Sequence, residues 1–444
     1  MMKLMWLLLL LMMTLIPASL AWQAHFTPAQ LQLPMKTSGD VELLLSDLNH
    51  DQLQQTDRYS FRLQSNSEHL ATVLAANATI PVDQIPDTAS EWTGRIRIEA
   101  HFLGEAVITV QLHDALFGNS SSPANAAQKG STLLAQVVRS QRVIDHVFLG
   151  SVILLMSLLY INFGAALNVS VLRGLITRPI GPSIFLITQT LGMPLLSYAL
   201  GVFIFPNSPA MQLGLFFTGI APSGGASNTW TAVLGGNINL SVLMTTISNF
   251  GAFGSMPFWT FTLGALIFDR AGIKVPYDKI AGYCAGLIIP LFIGLAIQRW
   301  WPRLAQILVR LLKPISGGLI IFIVVFAIIT NFYIFELFSW QIAVAGLALP
   351  GLGYGIAWLA AKLLHQNPAD ALAIAIETGI QNTGTAIFLL RTTLPQPQAD
   401  LTTVVPVAVA IMTPMPLLGI YLYQRCRGVK TAEIPPAAEH QRIV

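Results

Sequence analysis

"IETGIQNTGTAIF", residues 376–388, sets the problem that the rest of the chain must solve. The stretch sits inside a long apolar run. Yet it carries a carboxylate (Glu377), an amide pair (Gln381, Asn382), three threonines and two glycines. Hydrocarbon offers none of these groups a partner, so protein or a bound species must satisfy them. An acidic side chain at the centre of a membrane helix costs at least about 2.5–3.5 kcal/mol, which marks it as a functional candidate. No basic residue lies deep enough in the apolar runs to pair with Glu377, and a bound cation fills that role. The rival reading is a protonated glutamic acid hydrogen-bonded inside the bundle. Gly379 and Gly384, with Thr378, Thr383 and Thr385, also make a poor helix interior. A break here frees backbone carbonyls, good ligands for a hard cation, and is tolerated at membrane depth where it lines a protein cavity.

A second stretch answers the first. "FTGIAPSGGASNTW" (217–230) is equally rich in Gly, Ser and Asn, and "TGIAPSGGA" (218–226) aligns without gaps on "TGIQNTGTA" (378–386). Paired interruptions in two halves of a chain point to an inverted-repeat transporter with its site at the midplane.

Composition agrees. Of 444 residues, 54% are hydrophobic and 10% charged, and the mean hydropathy is +0.63. Soluble domains carry about 25% charged residues. A net charge of +3 gives no basis for a nucleic-acid partner. The two cysteines, Cys284 and Cys426, build neither a disulfide framework nor a thiolate metal site.

Residues 1–21, with Lys3, a short apolar core and small residues at Ser19 and Ala21, read as a secretory signal peptide cleaved after Ala21. Residues 22–117 follow as a small extracellular β-sandwich. "RYSFRLQS" (58–65), "GRIRIEAHF" (94–102) and "EAVITVQLHD" (105–114) alternate apolar and polar residues as antiparallel strands do, with a turn at Gly104. Asn77 and Asn119 open glycosylation sequons. Residues 118–144, beginning "GNSSSPANAAQKGS", read as a linker.

From 145 to 424 the chain reads as an all-α membrane domain. Nine apolar runs approach the ~20 residues that span a bilayer: about 146–167, 180–204, 210–233, 239–267, 280–298, 315–335, 340–361, 369–391 and 402–423. With the first helix entering from outside, eleven basic residues between Arg173 and Arg442 fall on the cytoplasmic side. Arg270, Lys274, Lys279 and Arg391 fall in outer loops. That asymmetry makes the N-terminus extracellular or lumenal and residues 425–444 a cytoplasmic tail. The expected setting is a multi-pass protein of the secretory pathway or plasma membrane, in contact with the lipid bilayer.

"PSGGASN" (222–228), "NLSVLMTTIS" (239–248) and "ETGIQNT" (377–383) closely resemble the sodium/bile acid symporter family, solute carrier family 10. The resemblance runs in order from about 146 to 424, and the long N-terminal segment is similar to a less characterised branch of that family. It implies two inverted repeats forming a panel and a core, with two broken helices crossing in the core. One sodium would then sit among Ser227, Asn228, Ser241, Thr245 and Glu377. A second would use Gln189 in "LITQTLGMP" (186–194), Glu377, the backbone of Thr378 and Ile380, and Gln381. Oxygen-only ligation suits a hard monovalent cation, and Asn382 would face substrate. The bland rivals are hydroxyls bonded to their own helix at Ser241 and Thr245, and a helix-to-helix clamp at Gln189. The last span lacks mid-membrane polar residues found in better-known members, so the resemblance does not carry their bile acid substrate over to this chain.

The function this implies is sodium-coupled symport of an amphipathic organic anion, bile-acid-like or a steroid conjugate, by alternating access. No cofactor is expected, and sodium is the coupling ion. The alternative is a non-transporting membrane receptor or regulatory scaffold whose extracellular domain binds a partner. No His/Asp/Ser or metal-ligand constellation marks an enzyme.

Overall fold

The computed structural model describes residues 22–48, 59–86, 90–114, 128–140, 142–166, 179–311 and 337–427, apart from positions 131 and 309 and with three isolated positions, 318, 321 and 325, in addition. The expected signal peptide, Asn119, the cytoplasmic tail beyond Arg427 and nearly all of the 315–335 span lie outside the described residues. Two compact units divide the chain, Met1–Gln141 and Arg142–Val444.

The first unit is strand-rich. Strands β1 (Trp22–Thr27), β3 (Ser38–Ser46), β5 (Ala71–Val73), β7 (Trp92–Ala100) and β9 (Gln128–Gly130) form one sheet in the order β5-β7-β3-β1-β9. The other sheet contains β2 (Gln30–Pro34), β4 (Tyr59–Ser65), β6 (Thr79–Pro81), β8 (Gly104–Asp114) and β10 (Leu133–Val138), in the order β2-β10-β8-β4-β6. Period-two patterning sets the buried faces: Ile96, Ile98 and Ala100 of β7 and Ala106, Ile108, Val110 and Leu112 of β8 share one hydrophobic cluster. Cross-strand partners Asp40 and Arg97 form a two-bonded ion pair on the exposed face (2.7 and 3.1 Å).

One expectation changes here and another gains its topology. β7 and β8 lie in different sheets, so the turn before Gly104 carries the chain from one sheet to the other. Gly104 sits at φ +153°, and a Cβ there would lie 2.8 Å from Leu70. The segment 118–144 is not a linker throughout: β9 and β10 belong to the sheets, and Leu133, Ala135 and Val137 are buried. The small-residue composition before Gly130 hid a strand whose own alternation, "LLAQVV", is only six residues long.

The second unit is helical: α1 (Val143–Ala166), α2 (Ile180–Ile204), α3 (Pro209–Ile220), α4 (Ala226–Leu234), α5 (Ile238–Arg270), α6 (Tyr277–Trp300), α7 (Trp340–Leu363), α8 (Pro368–Gly379), α9 (Thr383–Thr393), α10 (Gln398–Leu401), α11 (Val404–Met412) and α12 (Pro414–Cys426). Among the described residues four stretches are long and apolar enough to cross a membrane: Ile180–Ile204, Ile238–Arg270, Trp340–Leu363 and Gln398–Cys426. Large apolar side chains such as Phe203, Phe292 and Leu352 are exposed along these helices and α6, as suits a surface whose solvent is lipid. Backbones of α1 and α6 touch where glycines meet: a Cβ on Gly164 would fall 2.1 Å from the Leu291 carbonyl oxygen, and one on Gly294 2.1 Å from that of Ile161.

The runs 210–233 and 369–391 are each split. α3 stops at Ile220 and α4 starts at Ala226; α8 stops at Gly379 and α9 starts at Thr383. The two gaps satisfy one another. Gly224 N donates to Ile380 O and Asn382 N to Pro222 O, both at 2.8 Å, and Ser223 and Gln381 form an isolated antiparallel bridge. Backbone groups that lose their helical partners thus regain partners across the gap.

Candidate functional site

Glu377, on the last turn of α8, is fully buried. Its Oε1 accepts from Ser223 Oγ (2.7 Å) and from Thr245 Oγ1, and its Oε2 accepts from Ser241 Oγ (2.7 Å). Ser223 comes from the first gap, while Ser241 and Thr245 stand one turn apart on α5. Among the described residues no basic side chain pairs with the carboxylate. Hydroxyls alone surround it.

Asn228, on α4, is tied to the same pair: Oδ1 lies 2.9 Å from Ser241 Oγ, and Nδ2 donates to Thr245 Oγ1 at 3.1 Å. Ser227, one residue before Asn228 on α4, is fully buried and its Oγ has no hydrogen-bond partner. Each hydroxyl has one proton to give. Ser241 and Thr245 each face the carboxylate and Asn228, and Thr245 Oγ1 also lies 3.0 Å from Ser241 O. Oxygen lone pairs therefore outnumber the protons available to them. A hard cation corrects that imbalance, so the donor set fits sodium. Among the described residues no cluster of three His, Cys, Asp or Glu side chains exists to favour a softer or divalent metal.

The start of α5 is fixed to the start of α8. Asn237 caps α5 by accepting from Leu240 N and donates to Asp370 Oδ1 at 2.6 Å; Asn367 caps α8 by accepting from Asp370 N. This double cap sets the register that brings Ser241 and Thr245 to Glu377.

Gln189, Thr378 and Gln381 meet elsewhere. Gln189 Nε2 donates to Gln381 Oε1 (3.0 Å) and to Ala221 O (2.9 Å), while Gln381 Nε2 donates to Thr378 O (2.6 Å). Gln189 belongs to a π-helical segment of α2, Thr188–Gly192. One extra residue per turn lets the consecutive Thr188 and Gln189 both face inward, and Thr188 Oγ1 lies 3.0 Å from Thr378 Oγ1. The hydrogen bonds of the Glu377 side chain all run to Ser223, Ser241 and Thr245, and Ile380 O accepts from Gly224 N. Asn382 is half-buried and caps α9, accepting from Thr385 N at 3.1 Å.

Ser223 is the residue that sequence reading missed. It stood in the quoted "PSGGASN", but nothing in the chain says that its hydroxyl meets a carboxylate 154 positions away. Ser248, which accepts from Ser223 N at 2.9 Å, was missed in the same way. Asn77, expected to bear glycan, lies on the β7 backbone: Nδ2 donates to Arg95 O and Oδ1 accepts from Arg97 N.

Residues 152–336 match the sequence model described as the Sodium Bile acid symporter family. The P3 protein of Homo sapiens is 29% identical over 273 residues, 61% of this chain and 57% of its own length. The ileal sodium/bile acid cotransporter of Homo sapiens is 28% identical over 295 residues, covering 65% of this chain and 83% of its own. A sodium-dependent organic anion transporter of Bos taurus is 28% identical over 274 residues, with coverage of 61% and 70%. The chain thus spans little more than half the length of the P3 protein it matches. The family and the relatives whose names state an activity are transporters, not enzymes.

Proposed function

From the match of residues 152–336 to the Sodium Bile acid symporter family, we propose that the protein carries an amphipathic organic anion across a membrane with sodium as the coupling ion. One observation carries the reading: Glu377, buried and without a basic partner among the described residues, is held by hydroxyls of the other helical gap and of α5. Sodium there would join two halves of the site, so binding would favour the closed crossing over any state in which the halves part. A second sodium would lie among Gln189, Thr378, Ile380 and Gln381, with Glu377 supplying charge to both. Asn382 would face the substrate. The ungapped alignment of 218–226 on 378–386 supports an inverted repeat, and the asymmetry of basic residues supports nine spans with an outer N-terminus and an inner C-terminus. Ahead of it would stand a signal peptide (1–21) and an outer sandwich, glycosylated at Asn77 and Asn119.

Sodium-dependent melting and uptake test the reading together. Wild type should melt at higher temperature in sodium than in choline, because a ligand bound only by the folded state stabilises it by mass action. Glu377→Gln, which keeps shape but removes charge, should abolish that shift and sodium-driven uptake of steroid sulfates or bile acids into vesicles. Equal sodium shifts in both proteins would overturn the assignment. A sodium shift without uptake of any such anion would favour the receptor reading.

A further inference from the structure

α2 and α5 carry the same five-residue pattern at an irregular turn. "TQTLG" (188–192) in α2 and "TFTLG" (260–264) in α5 are both π-helical. In each, both threonines bond back to carbonyls four residues earlier: Thr188 to Ile184, Thr190 to Leu186, Thr260 to Met256 and Thr262 to Phe258. Such back-bonding competes with the helical ladder and loosens the turn.

The two turns are joined. In a regular helix the Thr190 carbonyl would accept from the residue four positions on, which is Pro194 and has no N–H. On a half-buried residue within an apolar run, that oxygen needs another donor. Trp259, the residue just before the second pattern, supplies it: its indole Nε1 donates to Thr190 O at 2.7 Å. The indole is almost wholly buried, at 9% exposure.

We infer that Trp259 is a positioning residue for the second ion site: by occupying the carbonyl that Pro194 leaves open, it holds the α2 bulge that aims Gln189 at Gln381. The inference rests on the reading that Gln189 and Gln381 hold sodium. It also ties α5, which bears Ser241 and Thr245, to the bulge that bears Gln189. One helix therefore serves both ion sites, at different points along its length.

The test is a sodium titration of thermal stability on the purified full-length protein, with choline chloride keeping ionic strength constant. Trp259→Phe keeps a ring but removes the donor. Loss of that one hydrogen bond to the Thr190 carbonyl should raise the sodium concentration giving half-maximal stabilisation by about three- to tenfold. A purely structural tryptophan would lower the melting temperature in choline and leave that midpoint where it is in wild type, and this result would overturn the inference. Should Trp259→Phe fail to fold, Pro194→Ala decides instead. It offers Thr190 O a donor within α2, and should raise the midpoint without lowering stability in choline; an unchanged midpoint would overturn the inference. Absence of any sodium shift in wild type would instead sink the ion-site reading. A wild-type shift that Glu377→Gln abolishes, with wild-type midpoints in the Trp259 and Pro194 variants, would sink only the role of Trp259.

Discussion

Glu377 and Asn228 reach one another through two hydroxyls, Ser241 and Thr245, each within bonding distance of both. Residues that share a ligand and a network should not act independently, whereas distant sites add within about 0.3–0.5 kcal/mol. Asn228→Ala and Glu377→Gln should each remove most of the sodium-dependent melting shift, and the double variant should be scarcely worse than either. Full additivity in that cycle would mean that the two positions do not serve one ion. Most of these residues were legible because each interruption of an apolar run announces itself: a carboxylate, an amide and a serine in hydrocarbon have no other business there. Ser223 was not legible, since a serine among glycines reads as packing until the two gaps are set against one another. Arg391, read as an outer-loop residue, forms an ion pair at 3.2 Å with Asp400, which is wholly buried; charge at the end of an apolar run does not say what it will pair with.

Breaks in helices were readable, but irregular turns were not. Glycine and β-branched residues lower helix propensity where the gaps fall, so 217–230 and 376–388 stood out by composition. A π segment adds one residue without changing hydrophobicity, and the apolar run through Thr188–Gly192 gives no sign of it. Close approach at the end of α8 also escaped notice. A Cβ on Gly379 would fall 2.1 Å from the Tyr354 ring, whose hydroxyl is anchored to Thr413 O at 3.0 Å. Gly379→Ala should therefore destabilise the protein by about 1–3 kcal/mol, the usual range for overpacking. Combined with Tyr354→Leu it should cost less than the two single changes added together, as thermal melting in choline would read out. An additive pair would show that the ring does not set the limit on residue 379.

At the scale of the whole chain, the boundary between strand-rich and helical units was drawn too early in sequence. Composition shifts at residue 118, but the sheets reach Val138. β10 lies between β2 and β8 and pairs with both, parallel to β2 and antiparallel to β8. It also places Leu133 and Val137 in the core. Burying two such side chains contributes roughly 1.5–3 kcal/mol each, a large part of the 5–15 kcal/mol by which a domain is typically stable. A soluble fragment of residues 22–141 should melt cooperatively, and one ending at residue 131 should not. Indistinguishable melting of the two would return β10 to the status of a tether.

That central strand has a consequence for synthesis on the ribosome. Four residues separate Val138 from Val143, where α1 begins. Because β10 is the last of the described strands to be translated and sits inside its sheet rather than at an edge, the sheet stays unfinished until the chain has almost reached α1. A nascent chain halted before that point leaves β2 and β8 unzipped, open to chaperones and proteases. Completion of the strand-rich unit and emergence of the first described helix are therefore nearly simultaneous events.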